Sequence, residues 1–343
     1  MKRKCLSIMI GLLALGFIGS TAWAEKLLLI NGAGATFPYP LYSKWFYEYT
    51  KVDESVNFNY QSIGSGGGIR QITAQTVDFG ASDGAMTDEQ LKQAPGELLH
   101  IPMTAGAVVI TYNLPGVTER LKFSPEVVAD IFLGKISRWN DPKISKDNPG
   151  VNLPAENIIV AHRSDGSGTT NIFTDYLSSV SSIWKSRVGK GTAVDWPVGL
   201  GGKGNEGVAG LVKQTPGAVG YVELAYAVKN NLAYADIKNK SGNFITPSIE
   251  STTAAIEGKL NSMPEDFRVS LVNPDGADAY PIAGVTWILV YKNQTDKVKG
   301  KKIVEFLHWA ITEGQKYATD LFYAPLPDAL VKKIKEKINQ ISY

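Results

Sequence analysis

Asn157-Ile158-Ile159-Val160-Ala161-His162-Arg163-Ser164-Asp165-Gly166-Ser167-Gly168-Thr169-Thr170-Asn171-Ile172-Phe173-Thr174-Asp175-Tyr176-Leu177-Ser178 carries a strand, a glycine turn and a helix in one run. Residues 157–162 are apolar over the length of a buried strand. In residues 169–178 the side chains of Ile172, Phe173, Tyr176 and Leu177 fall on one face at helical spacing. Between them two glycines stand among hydroxyls, one arginine and one aspartate. A strand that passes through such a turn into an amphipathic helix is the repeating unit of an α/β protein.

The same alternation runs outward in both directions. Apolar runs at 26–30, 77–82, 107–112, 218–222 and 285–291 predict further buried strands. Stretches at 40–49, 67–75, 125–133, 206–214, 301–312 and 328–338 predict helices. Ser124 before Pro125 marks one helix start, and Gly134 marks its end. The expectation is layers of helices around mainly parallel sheets.

Two other glycine-rich segments also lie where a strand gives way to a helix: Asn31-Gly32-Ala33-Gly34-Ala35-Thr36-Phe37 and Ile63-Gly64-Ser65-Gly66-Gly67-Gly68. A helix start offers free backbone N–H groups and the positive end of the helix dipole. Glycine lets a ligand approach the backbone, and Ser or Thr adds donors. At any one of these loops the hydroxyl serves equally well as a helix cap. Three such entrances, one with an arginine, point to a compact tetrahedral oxyanion.

The N-terminus sets the compartment. Lys2, Arg3 and Lys4 precede an apolar run from Leu6 to Gly19, and Ala22-Trp23-Ala24 closes it as a small-x-small cleavage pattern. This is the layout of a secretory signal peptide covering residues 1–24. The run is short for a bilayer span. Cys5, the one cysteine, lies inside that segment, so the mature chain has no thiol or disulfide chemistry. The full chain has 35 Lys+Arg against 33 Asp+Glu, and cleavage removes three basic residues and no acidic one. The near-neutral balance leaves no basic field for nucleic acid or an anionic membrane, so any bound anion must be held by local donors.

Other motifs fail on context. Gly199-Leu200-Gly201-Gly202-Lys203-Gly204 matches a dinucleotide fingerprint in form, but Asp195-Trp196-Pro197-Val198 before it is a poor strand. Gly204 after Lys203 leaves a P-loop without its Ser or Thr. No Gly-x-Ser-x-Gly elbow exists. The three histidines, His100, His162 and His308, have no zinc spacing. His162, at a predicted strand end beside Arg163, reads as structural. Asp83, Asp88 and Asp165 form an imaginable carboxylate set for a cation, against which the glycine–hydroxyl loops weigh. No catalytic residue, metal ligand or cofactor is expected.

On these loops the chain resembles the phosphate-binding proteins of high-affinity phosphate ABC transporters. The segments are 32–38, 63–65, 76–83, 133–136, 163–169, 196–207, 220–226 and 326–328. The resemblance implies an α/β two-lobed fold, with a hinge of two crossings and the ligand in the cleft. It implies lobes of residues 25–104 plus 283–343 and of 105–282, crossing near 104–106 and 281–284. It implies phosphate contacts from Thr36, Phe37 (backbone N–H), Ser65, Asp83, Arg163, Ser167, Gly168 (backbone N–H) and Thr169, with Asp165 orienting Arg163. Gly66 and Thr170 stand where some members have serine. The implied partners are inorganic phosphate and the transmembrane permease subunits of the importer, met by a soluble monomer in the periplasm. A secreted phosphatase and a binder of sulfate or molybdate are the alternatives. The phosphatase needs metal ligands or an activated nucleophile, and Asp83 opposes an anion that carries no proton.

Overall fold

The computed structural model describes residues 27–343, and the signal segment, its cleavage point and Cys5 lie outside them. In the first third of the chain, β1 (Leu28–Gly34) leads to α1 (Tyr39–Tyr49), β2 (Val56–Ser62) to α2 (Ser65–Thr73), and β3 (Phe79–Ser82) to α3 (Asp88–Gln93). The long β4 (Leu98–Tyr112) follows, then β5 (Lys122–Phe123), α4 (Pro125–Phe132) and α5 (Pro142–Asp147). Next come β6 (Ile159–Arg163), α6 (Gly168–Val180), α7 (Ser182–Arg187), β7 (Leu200–Gly202), α8 (Gly204–Gln214), β8 (Ala218–Glu223) and α9 (Leu224–Lys229). The short β9 (Ala233–Tyr234), β10 (Asp236–Lys238) and β11 (Phe244–Ile245) precede α10 (Ile249–Glu257). The chain ends with β12 (Ala283–Tyr291), α11 (Lys297–Ala310) and α12 (Asp328–Ile338).

The main sheet runs β2-β1-β3-β12-β4-β8-β6-β7, with β9 on β4, and a small sheet runs β11-β10-β5. Two parallel groups, β2-β1-β3 and β8-β6-β7, flank an antiparallel centre. The mainly parallel sheet expected from the alternation is therefore only half of the pairing. The centre is antiparallel because β4 and β12 are not βαβ strands. They run in opposite directions between the two groups and join them. β4 is buried along all 15 residues. It pairs with β12 up to Ala107, then with β8 from Val108 onward. This gives a two-lobed α/β body, with a β1 half and a β6 half sharing their central strands.

A bulge marks the join. Thr286 faces Thr104, but Trp287 faces Pro102, so one residue of β4 is extra. Proline has no N–H for a ladder and is tolerated inside a sheet at such irregularities. On its other side β12 pairs antiparallel with β3, and because Trp287 faces Ser82 the next residue back, the buried Thr286, comes beside Asp83. Among the described residues no helix is long and apolar enough to cross a membrane.

Candidate anion-binding site

Three helix entrances converge where the two halves meet. The turn after β1 carries Thr36 and Phe37 into α1, the turn after β2 carries Ser65 into α2, and the turn after β6 carries Ser167, Gly168 and Thr169 into α6. Asp83 follows β3, and Arg163 ends β6. All eight residues named for phosphate are buried, Thr36 at 2%, Asp83 at 3% and Arg163 at 4% exposure.

The contacts tie these residues into one cluster. Ser65 Oγ donates to Asp83 Oδ2 at 3.3 Å and accepts the Asp83 N–H at 3.1 Å. Arg163 Nη1 donates to Thr169 Oγ1 at 3.4 Å. Ser167 Oγ accepts the Thr170 N–H at 3.0 Å and so caps α6, which leaves its own hydrogen to spend elsewhere. Across the cleft, the Gly66 N–H donates to Gly166 O at 2.8 Å. Gly64 takes φ +84°, open to glycine, and a β-carbon there would stand 2.6 Å from Gly166 O. The halves are thus closed on each other, with backbone against backbone.

Charge is arranged with equal care. Arg163 Nε donates to Asp165 Oδ1 at 2.8 Å and Nη2 to Asp165 Oδ2 at 2.6 Å, a two-pronged pair that fixes the guanidinium plane. Burial would raise the Asp165 carboxyl, but bonds and charge from Arg163, with the Gly204 N–H, hold it below its ordinary range. Asp165 is therefore taken up by Arg163 and the Gly204 N–H. Asp83 is the reverse case. Burial pushes its carboxyl up to about 7, against the Thr286 hydroxyl, the Arg163 charge and Ser65, which pull it down. It retains lone pairs and stands ready to accept a proton.

Three residues outside the eight complete the cluster. Tyr226 Oη donates to Thr36 O at 2.6 Å, polarising the peptide whose N–H belongs to Phe37. Thr286 donates to Asp83 Oδ1 at 2.8 Å. Asn205, fully buried, reaches both Thr36 and Thr169. Asn205 and Tyr226 lie in segments used for the resemblance, yet neither was assigned a contact. The glycine run 199–204, dismissed as a dinucleotide motif, is a fourth strand-to-helix turn, β7 to α8, and it delivers Asn205. His162 stacks on Trp196 with ring centroids 4.9 Å apart, away from chemistry, and His308 bonds Asn339. No group of three or more potential metal ligands occurs among the described residues.

Residues 19–313 match the model of the PBP superfamily domain. The phosphate-binding protein PstS of Pasteurella multocida is 49% identical over 307 residues, 89% of this chain and 88% of that protein. This chain belongs to the PstS phosphate-binding proteins. PstS of Xylella fastidiosa is 47% identical over 316 residues, 92% of this chain and 86% of its own length. The fold is shared much more widely. A human phosphate-binding apolipoprotein has a TM-score of 0.72 at 18% identity, covering 90% of this chain and 93% of its own.

Proposed function

We propose that this PstS chain captures one inorganic phosphate ion between its halves and delivers it to the permease subunits of an ABC importer. It is a binding protein and not an enzyme. The supporting observation is that one buried cluster combines helix-start donors, a forked arginine and a carboxylate, Asp83, not already spent on that arginine, while the buried Glu223 beside the cluster accepts from the Ala225 N–H and from Tyr323. Thr36, Phe37 N–H, Ser65, Arg163, Ser167, Gly168 N–H and Thr169 donate to the anion. Asp83 accepts the hydrogen that phosphate keeps at neutral pH. Sulfate has no such hydrogen and would set oxygen against oxygen at Asp83.

The halves move as lobes of residues 25–104 plus 283–343 and of 105–282, hinged at crossings near 104–106 and 281–284. The mature protein starts at Glu25 and works in the periplasm as a soluble monomer. Calorimetric titration of the phosphate-stripped mature chain with phosphate, sulfate and arsenate, beside a phosphatase assay, tests the reading. One phosphate per chain with no sulfate heat and no turnover is the expected result. Equal binding of sulfate, or hydrolysis of a phosphate ester, overturns it.

A further inference from the structure

Asn205 lies in the first turn of α8, directly after Gly204, which takes φ +72°. Its carboxamide is oriented without ambiguity. The Glu223 N–H donates to Oδ1 at 3.0 Å, so the other atom must be the NH2 group. That group has two hydrogens, and each has a target: Thr36 Oγ1 at 2.8 Å and Thr169 Oγ1 at 3.1 Å. The two threonines belong to opposite sides of the cleft. Thr36 Oγ1 also receives the Asn205 backbone N–H at 3.2 Å, and Thr169 Oγ1 receives Arg163 Nη1 at 3.4 Å.

We infer that Asn205 is a positioning residue that commits the Thr36 and Thr169 hydroxyls to donating toward the bound anion. A threonine hydroxyl has one hydrogen and two lone pairs. At both threonines the lone pairs face protein donors, so only the hydrogen is left to offer. Such a hydroxyl stabilises an anionic oxygen and gives no acceptor to a protonated one. Asn205 thereby leaves Asp83 as the acceptor for the ligand's hydrogen. It makes the pocket count protons, one being welcome and a second having nowhere to go. Aspartate at this position reverses the polarity. It accepts from both threonines and turns their hydrogens away from the cleft.

The inference rests on the phosphate reading above, and its test separates the two. Phosphate is titrated calorimetrically into wild type, Asn205→Asp and Asn205→Ala at pH 5.5 and pH 8.5, with near-ultraviolet circular dichroism to verify folding. Asn205→Asp is expected to bind at least about 100-fold more weakly at both pH values, as two donors are withdrawn and a charge is added. Asn205→Ala frees the hydroxyls to accept, so it should lose less at pH 5.5, where singly charged phosphate carries two hydrogens, than at pH 8.5. The Asp83 carboxyl, which titrates at about 7, changes protonation between these pH values in all three proteins, so the variant's ratio is read against that of wild type, where the difference should be at least about threefold. The pH 5.5 to 8.5 ratio is what a purely structural role leaves unmoved. An equal loss at both pH values in Asn205→Ala, or wild-type affinity in Asn205→Asp, overturns the inference. Should alanine not fold, Asn205→Ser fills part of the space and is held to the same ratio. A wild-type chain that binds no phosphate overturns the phosphate reading itself.

Discussion

Thr286 and Asp83 are joined by a 2.8 Å hydrogen bond although one sits on the last strand of the sheet and the other closes a turn 203 residues earlier. The antiparallel register of β12 with β3, in which Trp287 faces Ser82, brings the Thr286 hydroxyl to that position. The bond lowers the energy of the Asp83 carboxylate, yet burial outweighs it and the carboxyl rises from its ordinary value of 3.8 to about 7. The anion site therefore contains a carboxyl that gives up its proton only near neutral pH.

This has a consequence for stability. Below pH 4 the Asp83 proton is present in both the folded and the unfolded chain, and no penalty exists. As pH rises from 4 toward 7 the unfolded chain releases its proton while the folded chain holds it, so stability falls through that window. Above 7 the whole penalty is present, on the order of 4 kcal/mol for a shift of this size. Asp83→Asn should raise the melting temperature of the anion-free protein at pH 8, and the gain should shrink toward zero near pH 4. Calorimetric melting at four pH values between 4 and 8 checks this. A gain that does not vary with pH would place the effect in packing instead.

Gly168 offers a purely steric test. A β-carbon there would collide with Ser65 Oγ and stand 2.6 Å from the Asp83 β-carbon, across the closed cleft. Gly168→Ala should therefore bind phosphate more weakly by about 1–3 kcal/mol, the range for overpacking a filled space. In small-angle scattering with saturating phosphate, its radius of gyration should exceed that of wild type. Matching radii and affinities would mean that Ser65 yields at little cost.

The strand–turn–helix units were legible because each combines a periodic apolar pattern with a glycine break in a few consecutive residues. The runs at 157–162 and 218–222 emerged as β6 and β8 within two residues. β2 has no continuous apolar run, so only the strand-to-helix turn at 63–68 points to it, although Val56, Phe58 and Tyr60 alternate with Asn57, Asn59 and Gln61, a period-2 signal of a half-exposed edge strand. β4 was read only from residue 107, because Pro102 and Gly106 argue locally against a central strand, and the bulge that accommodates Pro102 depends on β12, far along the chain. The same limit applies at the site. Arg163 and Asp165 are two residues apart and their pairing follows from spacing. Asn205 reaches Thr36 across 169 positions, and Thr286 reaches Asp83 across 203, so neither bond leaves a local trace.

Arg163 is the cation of the cluster, its side chain 1% exposed and held by Asp165. Arg163→Ala should weaken phosphate binding by about 2–5 kcal/mol, the range for removing one partner of a buried, hydrogen-bonded charge pair. Arg163→Lys should recover only part of that loss, because an ammonium cannot grip Asp165 with two parallel bonds while also facing Thr169 and the anion. Titration calorimetry on both variants provides the comparison. Wild-type affinity in the alanine variant would remove Arg163 from the site.

Asp83→Asn also decides how the pocket rejects sulfate. With phosphate, the substitution removes a charge-assisted acceptor for the ligand's hydrogen, but it also removes repulsion between the carboxylate and the remaining anionic charge. The two changes oppose, so phosphate affinity should move by no more than about 1–2 kcal/mol. With sulfate both changes help, since repulsion is gone and the new amide can turn an N–H toward the oxygen that Asp83 repels. The phosphate-to-sulfate ratio should therefore fall sharply. The measurement belongs at pH 8 or above, where the carboxyl that titrates at about 7 is ionised in the wild type. Near pH 6 the wild-type carboxyl carries its own proton and can donate to sulfate, so the contrast between wild type and variant should narrow there. Competition titrations at pH 6 and pH 8.5 at one ionic strength report both effects. If the ratio in the folded variant equals that of wild type at pH 8.5, Asp83 is only the turn residue after β3, and the pocket must read the phosphate hydrogen at another atom.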